Sequence, residues 1–268
     1  MSAEKRAHRY AVLSGKGGVG KTLIAANVAA ALSSAGVRTA LFDADLGLAN
    51  VDVILGLNPT LTLPDLLRGH CTLDQILIRA PGGFDLVPAG SGILEGTHMT
   101  AAMAENLESL IRALDQRYDA VLFDVGAGIG EVVVFFARTA DTVLLVVTPE
   151  PTSLTDAYAT IKVLAQRYGL RDFSLIVNQA GSTRPEQTAA EIAGRLQGVT
   201  SRFLAAGGRT PVRLELAGVI PTDPAVLRAV GRQQLLVEAD PKAPATRSIF
   251  RIADALRPMA PAAPVLLR

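Results

Sequence analysis

The stretch GKGGVGKT, residues 15–22, narrows the possible folds more than any other part of this sequence. It fits G-x-x-x-x-G-K-[ST] and lies between an apolar run, YAVLS (10–14), and an alanine-rich helical pattern, TLIAANVAAALSSAG (22–36). Strand, glycine loop and helix in that order wrap backbone N–H groups and the positive end of a helix around one anion. Gly15, Gly17, Gly18, Val19 and Gly20 would line a phosphate chain with their backbone. Lys21 would bridge the β- and γ-phosphates, and the Thr22 hydroxyl would ligate Mg2+. One lysine suffices for that work, yet Lys16 follows the first glycine directly.

Short apolar runs recur at 10–14, 38–43, 84–89, 120–125, 142–148, 173–178 and 216–221, with helical patterns between them. Runs that are continuously apolar, not alternating, belong to strands buried on both faces. The expectation is an α/β P-loop NTPase: a mostly parallel, twisted sheet of about seven to eight strands with helices on both faces. One domain is expected over 1–268, with a short N-terminal tail (1–8) and a proline-rich C-terminal tail (258–268). In SLTDAYATIKVLAQRYG (153–169), Leu154, Tyr158, Ile161 and Ala165 share a helical face, and Ser153 with Asp156 forms a plausible capping box. The apolar stretch EVVVFFARTADTVLLVV is interrupted by Arg138 and Asp141, and reads as a helix end followed by a buried strand, not as a membrane span.

Charge removes some classes. With 26 basic and 25 acidic residues and no basic run, the chain shows no field for nucleic acid, which is not an expected partner. A single cysteine, Cys71, forms no internal disulfide, fits a reducing cytoplasm and sits in no C-x-x-C pair of the kind a metal-cluster carrier uses. His8, His70 and His98 show no metal-ligand spacing and read as surface or loop residues.

Two strands end in acid. TALFD closes on Asp43, with Asp45 two residues on, and AVLFDVGAGIG places Asp124 at a strand end ahead of Gly126 and Gly128. Ligands of open α/β sheets bind at that edge. Asp124 matches a Walker B aspartate holding Mg2+ through water. The glycines after it leave backbone N–H groups free to sense a γ-phosphate, so 124–130 is a candidate switch.

The motif KGGVGKT resembles the deviant Walker A of the MinD/ParA ATPases, and the similarity runs along nearly the whole chain. Within that family ANVDVILGL, DVGAGIG and TPEPTSLTDAYATIKVL look most like the flagellar-number group called FlhG, FleN or YlxH. The resemblance implies that Lys16 reaches across an ATP-bound homodimer to the partner's phosphates, supplying in trans what an arginine finger supplies elsewhere. Lys16, Lys21 and Asp45 would then be catalytic. The D-x-D of Asp43 and Asp45 would form a first switch, with Asp45 orienting the attacking water, and Asp43 would join Thr22 and Asp124 around the metal. Asn178 would read adenine, so ATP would be the nucleotide, with Pro221, Thr222 and Asp223 lining the base. Glu150, Asp156 and Tyr158 would lie where two subunits meet.

The function implied is a slow, Mg2+-dependent ATPase acting as an ATP-gated homodimer switch that controls flagellar number or placement. The alternative is a positioning or partitioning ATPase whose ATP dimer binds DNA or membrane. Partner classes are flagellar basal-body components, an FlhF-like GTPase or a transcription regulator. Only nine residues precede the first strand and they carry no activating helix, which argues against direct stimulation of the GTPase. The location implied is cytoplasmic, with peripheral attachment at the inner membrane or pole left open. Near the C-terminus, TRSIFRIADALR aligns Ile249, Ile252, Ala253 and Leu256 on one face, with Arg247, Arg251 and Arg257 elsewhere. The favoured reading is a last helix covering the sheet, ahead of a tail too rich in proline to form an anchor helix; a helix lying on an anionic membrane is the other.

Overall fold

The computed structural model describes residues 6–47, 50–90, 99–204 and 210–258; His98, residues 1–5 and the proline-rich tail from 259 onward lie outside them. In chain order the elements are β1 (His8–Leu13), α1 (Lys21–Ser34), β2 (Thr39–Ala44), α2 (Val51–Ile54), α3 (Leu63–Leu67), α4 (Leu73–Ile76), β3 (Ile78–Arg79), β4 (Asp85–Val87), α5 (Ala101–Arg117), β5 (Ala120–Val125), α6 (Glu131–Thr139), β6 (Thr142–Val147), α7 (Pro151–Tyr168), β7 (Asp172–Val177), α8 (Pro185–Leu204), β8 (Arg213–Val219), α9 (Pro224–Gly231), α10 (Leu236–Ala239) and α11 (Pro244–Ala255). The strands form one eight-stranded sheet in the order β3-β4-β2-β5-β1-β6-β7-β8. All pairings are parallel except β3 with β4. Each apolar run read from the sequence is a strand. The two-residue β3 is too short to leave a pattern, and it escaped.

Continuous apolarity follows from burial on both faces. Along β1, Ala11 and Leu13 enter a core with α5, α6, α7 and α8, while Tyr10 and Val12 enter the opposite core with α1, α9, α10 and α11. In the first core Phe42, Phe123 and Phe136 meet edge-on or tilted, with ring centroids 4.9 to 6.0 Å apart. The alanines of α1 let it sit deep against the sheet: every residue from Ile24 to Leu32 is buried. Asn27, also buried, accepts from the Val237 amide at 3.0 Å and donates to the Leu23 carbonyl, pinning α1 to α10.

The apolar face of α11 is spent inside the molecule. Ile249, Ile252, Ala253 and Leu256 are buried in the second core, and Gly218 of β8 leaves the space that Ile252 fills. The Tyr10 hydroxyl donates to the Leu256 carbonyl at the helix end. Two local expectations change. Helix α7 starts at Pro151 with Glu150 as N-cap, so Ser153 lies inside the first turn and accepts from the Thr148 amide at 3.0 Å, and the Ser153–Asp156 capping box does not form. Its buried face is Ala157, Ile161, Leu164 and Ala165, while Leu154 and Tyr158 pack against the core only in part. His8 is no loop residue: it lies in β1 with Nε2 2.9 Å from the Thr142 hydroxyl, and burial holds its pKa below the ordinary value.

Phe123→Ala empties the centre of the aromatic cluster. We expect a loss of about 3–5 kcal/mol in urea denaturation, with the transition remaining cooperative.

Candidate functional site

Strands β1 and β6 are neighbours, but α1 leads from β1 toward β2 on one side and α7 leads from β6 toward β7 on the other. That divergence opens a crevice at the C-terminal ends of the two strands, where ligands of open α/β sheets sit. The phosphate loop, 14–20, lies there against the second turn of α7. A Cβ on Gly15 would overlap the backbone of Asp156 and Ala157, so only glycine permits this approach. Gly20 takes φ of 91° as the N-cap of α1, and a Cβ there would collide with the Asn178 amide 2.5 Å away. The conformation is one that glycine adopts without steric cost.

Beneath the loop, Lys21 opens α1 and is buried. In the parallel register Asp43 of β2 stands beside Asp124 of β5. Asp124 is 3% exposed, its Oδ1 has no hydrogen-bond partner, and the Thr22 side chain hydrogen-bonds the carboxylate. Burial pushes its pKa up to about 6, against the nearby Lys21 ammonium and the Thr22 bond, with Asp45 adding a smaller upward push. A buried carboxylate oxygen with nothing bonded to it, next to a threonine hydroxyl, fits Mg2+, an ion that takes one or two protein oxygens and fills its shell with phosphate and water.

Asp43, expected near the metal, is bonded in this structure to its own loop. Its Oδ1 accepts from the Asp45 amide at 3.2 Å, and its Oδ2 from the amides of Asn50 and Val51 at 3.1 and 3.2 Å. The carboxylate therefore ties the following loop to the start of α2. Burial, and then the Asp124 charge, raise its pKa to about 7 in spite of those bonds. Asp45 packs on the other candidate switch: a Cβ on Gly126 would stand 3.2 Å from its Oδ1. The second loop reaches back to the first strand, with the Gly128 amide donating to the Ser14 carbonyl at 3.0 Å. Both candidate switches thus abut at the foot of the phosphate loop.

Asn178, at the end of β7, is buried and donates its Nδ2 to the Val19 carbonyl at 2.8 Å. In this structure it braces the phosphate loop, and that donor is already used. Asp223 caps two helices, accepting from Ala225 of α9 at 2.9 Å and Ala245 of α11 at 3.1 Å. Its carboxylate is structural, while Pro221 and Thr222 leave β8 on the same side of the sheet and the Thr222 amide bonds the Gly181 carbonyl at 3.1 Å. Asp156 is half-buried on α7 behind Gly15.

Lys16 is not gathered with Lys21 and Asp124. Its Nζ donates to Glu150 Oε2 and, at 3.0 Å, to the Thr152 hydroxyl, at the exposed start of α7. The Ser14 hydroxyl holds the Lys16 carbonyl at 2.7 Å. Ser14 and Thr152 were not singled out from the sequence. Thr152 lies 136 positions from Lys16, and no spacing rule announces a contact over that distance.

A ParA family model, described as "NUBPL iron-transfer P-loop NTPase", matches residues 5–257. The chain belongs to the ParA family of P-loop NTPases. It is 43% identical to the antiactivator FleN of Pseudomonas aeruginosa over 91% of this chain and 84% of that protein. It is 33% identical to the flagellum site-determining protein YlxH of Helicobacter pylori, over 92% of this chain and 80% of that one. The septum site-determining protein MinD of Pyrococcus horikoshii, solved with Mg-ADP, superposes with a TM-score of 0.73 at 25% identity, covering 93% and 96% of the two chains. As a member of this family with an intact phosphate loop, the chain is an ATP hydrolase whose cofactors are ATP and Mg2+. Among the described residues no group of three or more His, Cys, Asp or Glu is arranged to hold a metal ion, and Cys71 lies between α3 and α4.

The raised pKa of Asp124 makes stability depend on pH. The folded state keeps the proton up to about pH 6, whereas an unfolded aspartate releases it near its ordinary value of about 3.9. The stabilisation is therefore full below that lower value and is lost as pH rises through about 6. Without nucleotide and Mg2+, Asp124→Asn should be more stable than the parent at pH 7.5, by on the order of 2–3 kcal/mol in urea titration, and no more stable at pH 4.

Proposed function

We propose that this protein is a switch-type ATPase, a single domain that forms a homodimer when ATP and Mg2+ are bound and separates after hydrolysis, and that it controls flagellar number or placement. Backbone amides of 15–20 and Lys21 would hold the β- and γ-phosphates, Thr22 and Asp124 the metal, and Asp45 the attacking water. Mg2+, when bound, supplies charge neutralisation on the transferring phosphoryl group; positioning and exclusion of water are the chain's share. Asn178 would offer its remaining amide groups to adenine, with Pro221 and Thr222 beside the base. Asp43 and Asp124 would couple their loops to the phosphate, because each sits at the root of a candidate switch.

The observation that carries the reading is the placement of Lys16. An ammonium on the phosphate loop that sits at the exposed start of α7, and not with the buried Lys21 and Asp124, supports a role toward a neighbouring molecule. The flagellar assignment is supported by FleN, named an antiactivator, and YlxH, named a flagellum site-determining protein. The first name also favours a transcription regulator as partner class. No helix among the described residues is long and apolar enough to cross a membrane. The burial of the apolar face of α11 supports reading that helix as a cover for the sheet, and the location we propose is cytoplasmic.

Lys16→Ala should abolish ATP-dependent dimerisation in sedimentation experiments while retaining nucleotide binding in a filtration assay. A dimer of parental strength in that variant would remove the trans role. Asp45→Ala should lower turnover at least about a hundredfold and accumulate the ATP dimer; parental turnover would show that another group positions the water.

A further inference from the structure

The pairing of Lys16 has a rigid frame. Its backbone is fixed by the Ser14 hydroxyl. The second turn of α7, at Asp156 and Ala157, is pressed onto Gly15 so tightly that no side chain would fit between them. The loop before α7 is closed by the bond from the Thr148 amide to Ser153. Glu150 and Thr152 therefore present two acceptors at set positions beside the phosphate loop, one of them charged. A lysine at a helix N-terminus faces the positive end of the helix dipole, so without Glu150 it would have no reason to settle there. Its carboxylate turns an unfavourable place into a seat.

We infer that Glu150 and Thr152 form a cis latch that holds Lys16 against its own subunit until dimerisation draws it away. The inference rests on the proposed trans role of Lys16, and it changes what Glu150 is: a restraint on dimerisation in the lone chain, in place of a residue that only cements two subunits. The two roles predict opposite signs. Lys16 and Glu150 are 37% and 56% exposed in their side chains, so the pair is a weak surface one, and one latch should shift the equilibrium about threefold. Each dimer opens two latches. The factors multiply, and the dimer constant should change about tenfold. A latch of that strength hinders chance pairing of nucleotide-free chains yet yields to a phosphate charge across the interface.

The test compares full-length parent, Glu150→Gln and Thr152→Val by sedimentation with Mg2+ and a non-hydrolysable ATP analogue. Thermal melts serve as the folding control. Both substitutions lie on exposed side chains. The latch predicts a dimer constant about tenfold tighter for Glu150→Gln and a smaller gain for Thr152→Val. It also predicts return toward the parental value in Glu150→Asp and no gain when Glu150→Gln is combined with Lys16→Ala. An unchanged or weaker dimer in Glu150→Gln overturns the latch and leaves the trans lysine standing. A gain that persists without Lys16 overturns it as well, because the effect would not pass through the lysine. A parental dimer in Lys16→Ala alone removes the trans role on which the latch rests, a result distinguishable from the other two.

Discussion

The close approach of the phosphate loop to the second turn of α7 is the contact on which the rest of the site depends. It exists because Gly15 has no side chain: one methyl group there would strike the backbone of Asp156 and Ala157. With loop and helix in register, the crevice between β1 and β6 is narrow, Lys21 is buried beneath it, and Lys16 falls within reach of Glu150 and Thr152. A wider gap would leave the loop as a flexible turn. Its amides would no longer be preorganised, and most of the advantage of a loop built from backbone donors would be lost.

Around that contact the protein places charge where burial makes it responsive. Asp43 and Asp124 stand side by side at the ends of adjacent strands, both shielded from water, with pKa values raised into the neutral range. Asp43 satisfies its oxygens with three backbone amides of its own loop, whereas Asp124 keeps one oxygen unbonded. The same residue type in equivalent strand positions thus ends differently bonded. The difference arises from the loop at each strand's end. One folds back and gives Asp43 its amides; the other, rich in glycine, gives Asp124 Oδ1 no hydrogen bond.

Much of the fold was legible in the order of residues alone. Seven continuously apolar runs became seven strands because double burial demands apolarity at every position, and such runs are hard to imitate by chance. The phosphate loop was legible because its glycines and lysine are adjacent in sequence. Other contacts were not legible in this way. Asp223 looked like part of a base-lining loop, but its carboxylate is consumed by caps on α9 and α11, and the second cap comes from a helix 22 positions away. Asn178 looked like a base reader, and in the folded chain it braces Val19, 159 positions earlier. The Ser153–Asp156 pair fitted a capping box in spacing, but the helix begins earlier, at a proline suited to its first position.

The amino-acid order by itself determined the parallel sheet, the strand–loop–helix that binds phosphate and the presence of a surplus lysine. All three are written in neighbouring residues, through glycine's tolerance of positive φ, the apolarity of doubly buried strands and the dipole of a helix start. Tertiary structure alone decided which carboxylate keeps an open oxygen, which asparagine is committed to the loop and where the surplus lysine rests. The last two outcomes depend on partners more than a hundred positions apart that meet only when the sheet brings the ends of β1, β6 and β7 to one edge, and no local rule carries information over that distance.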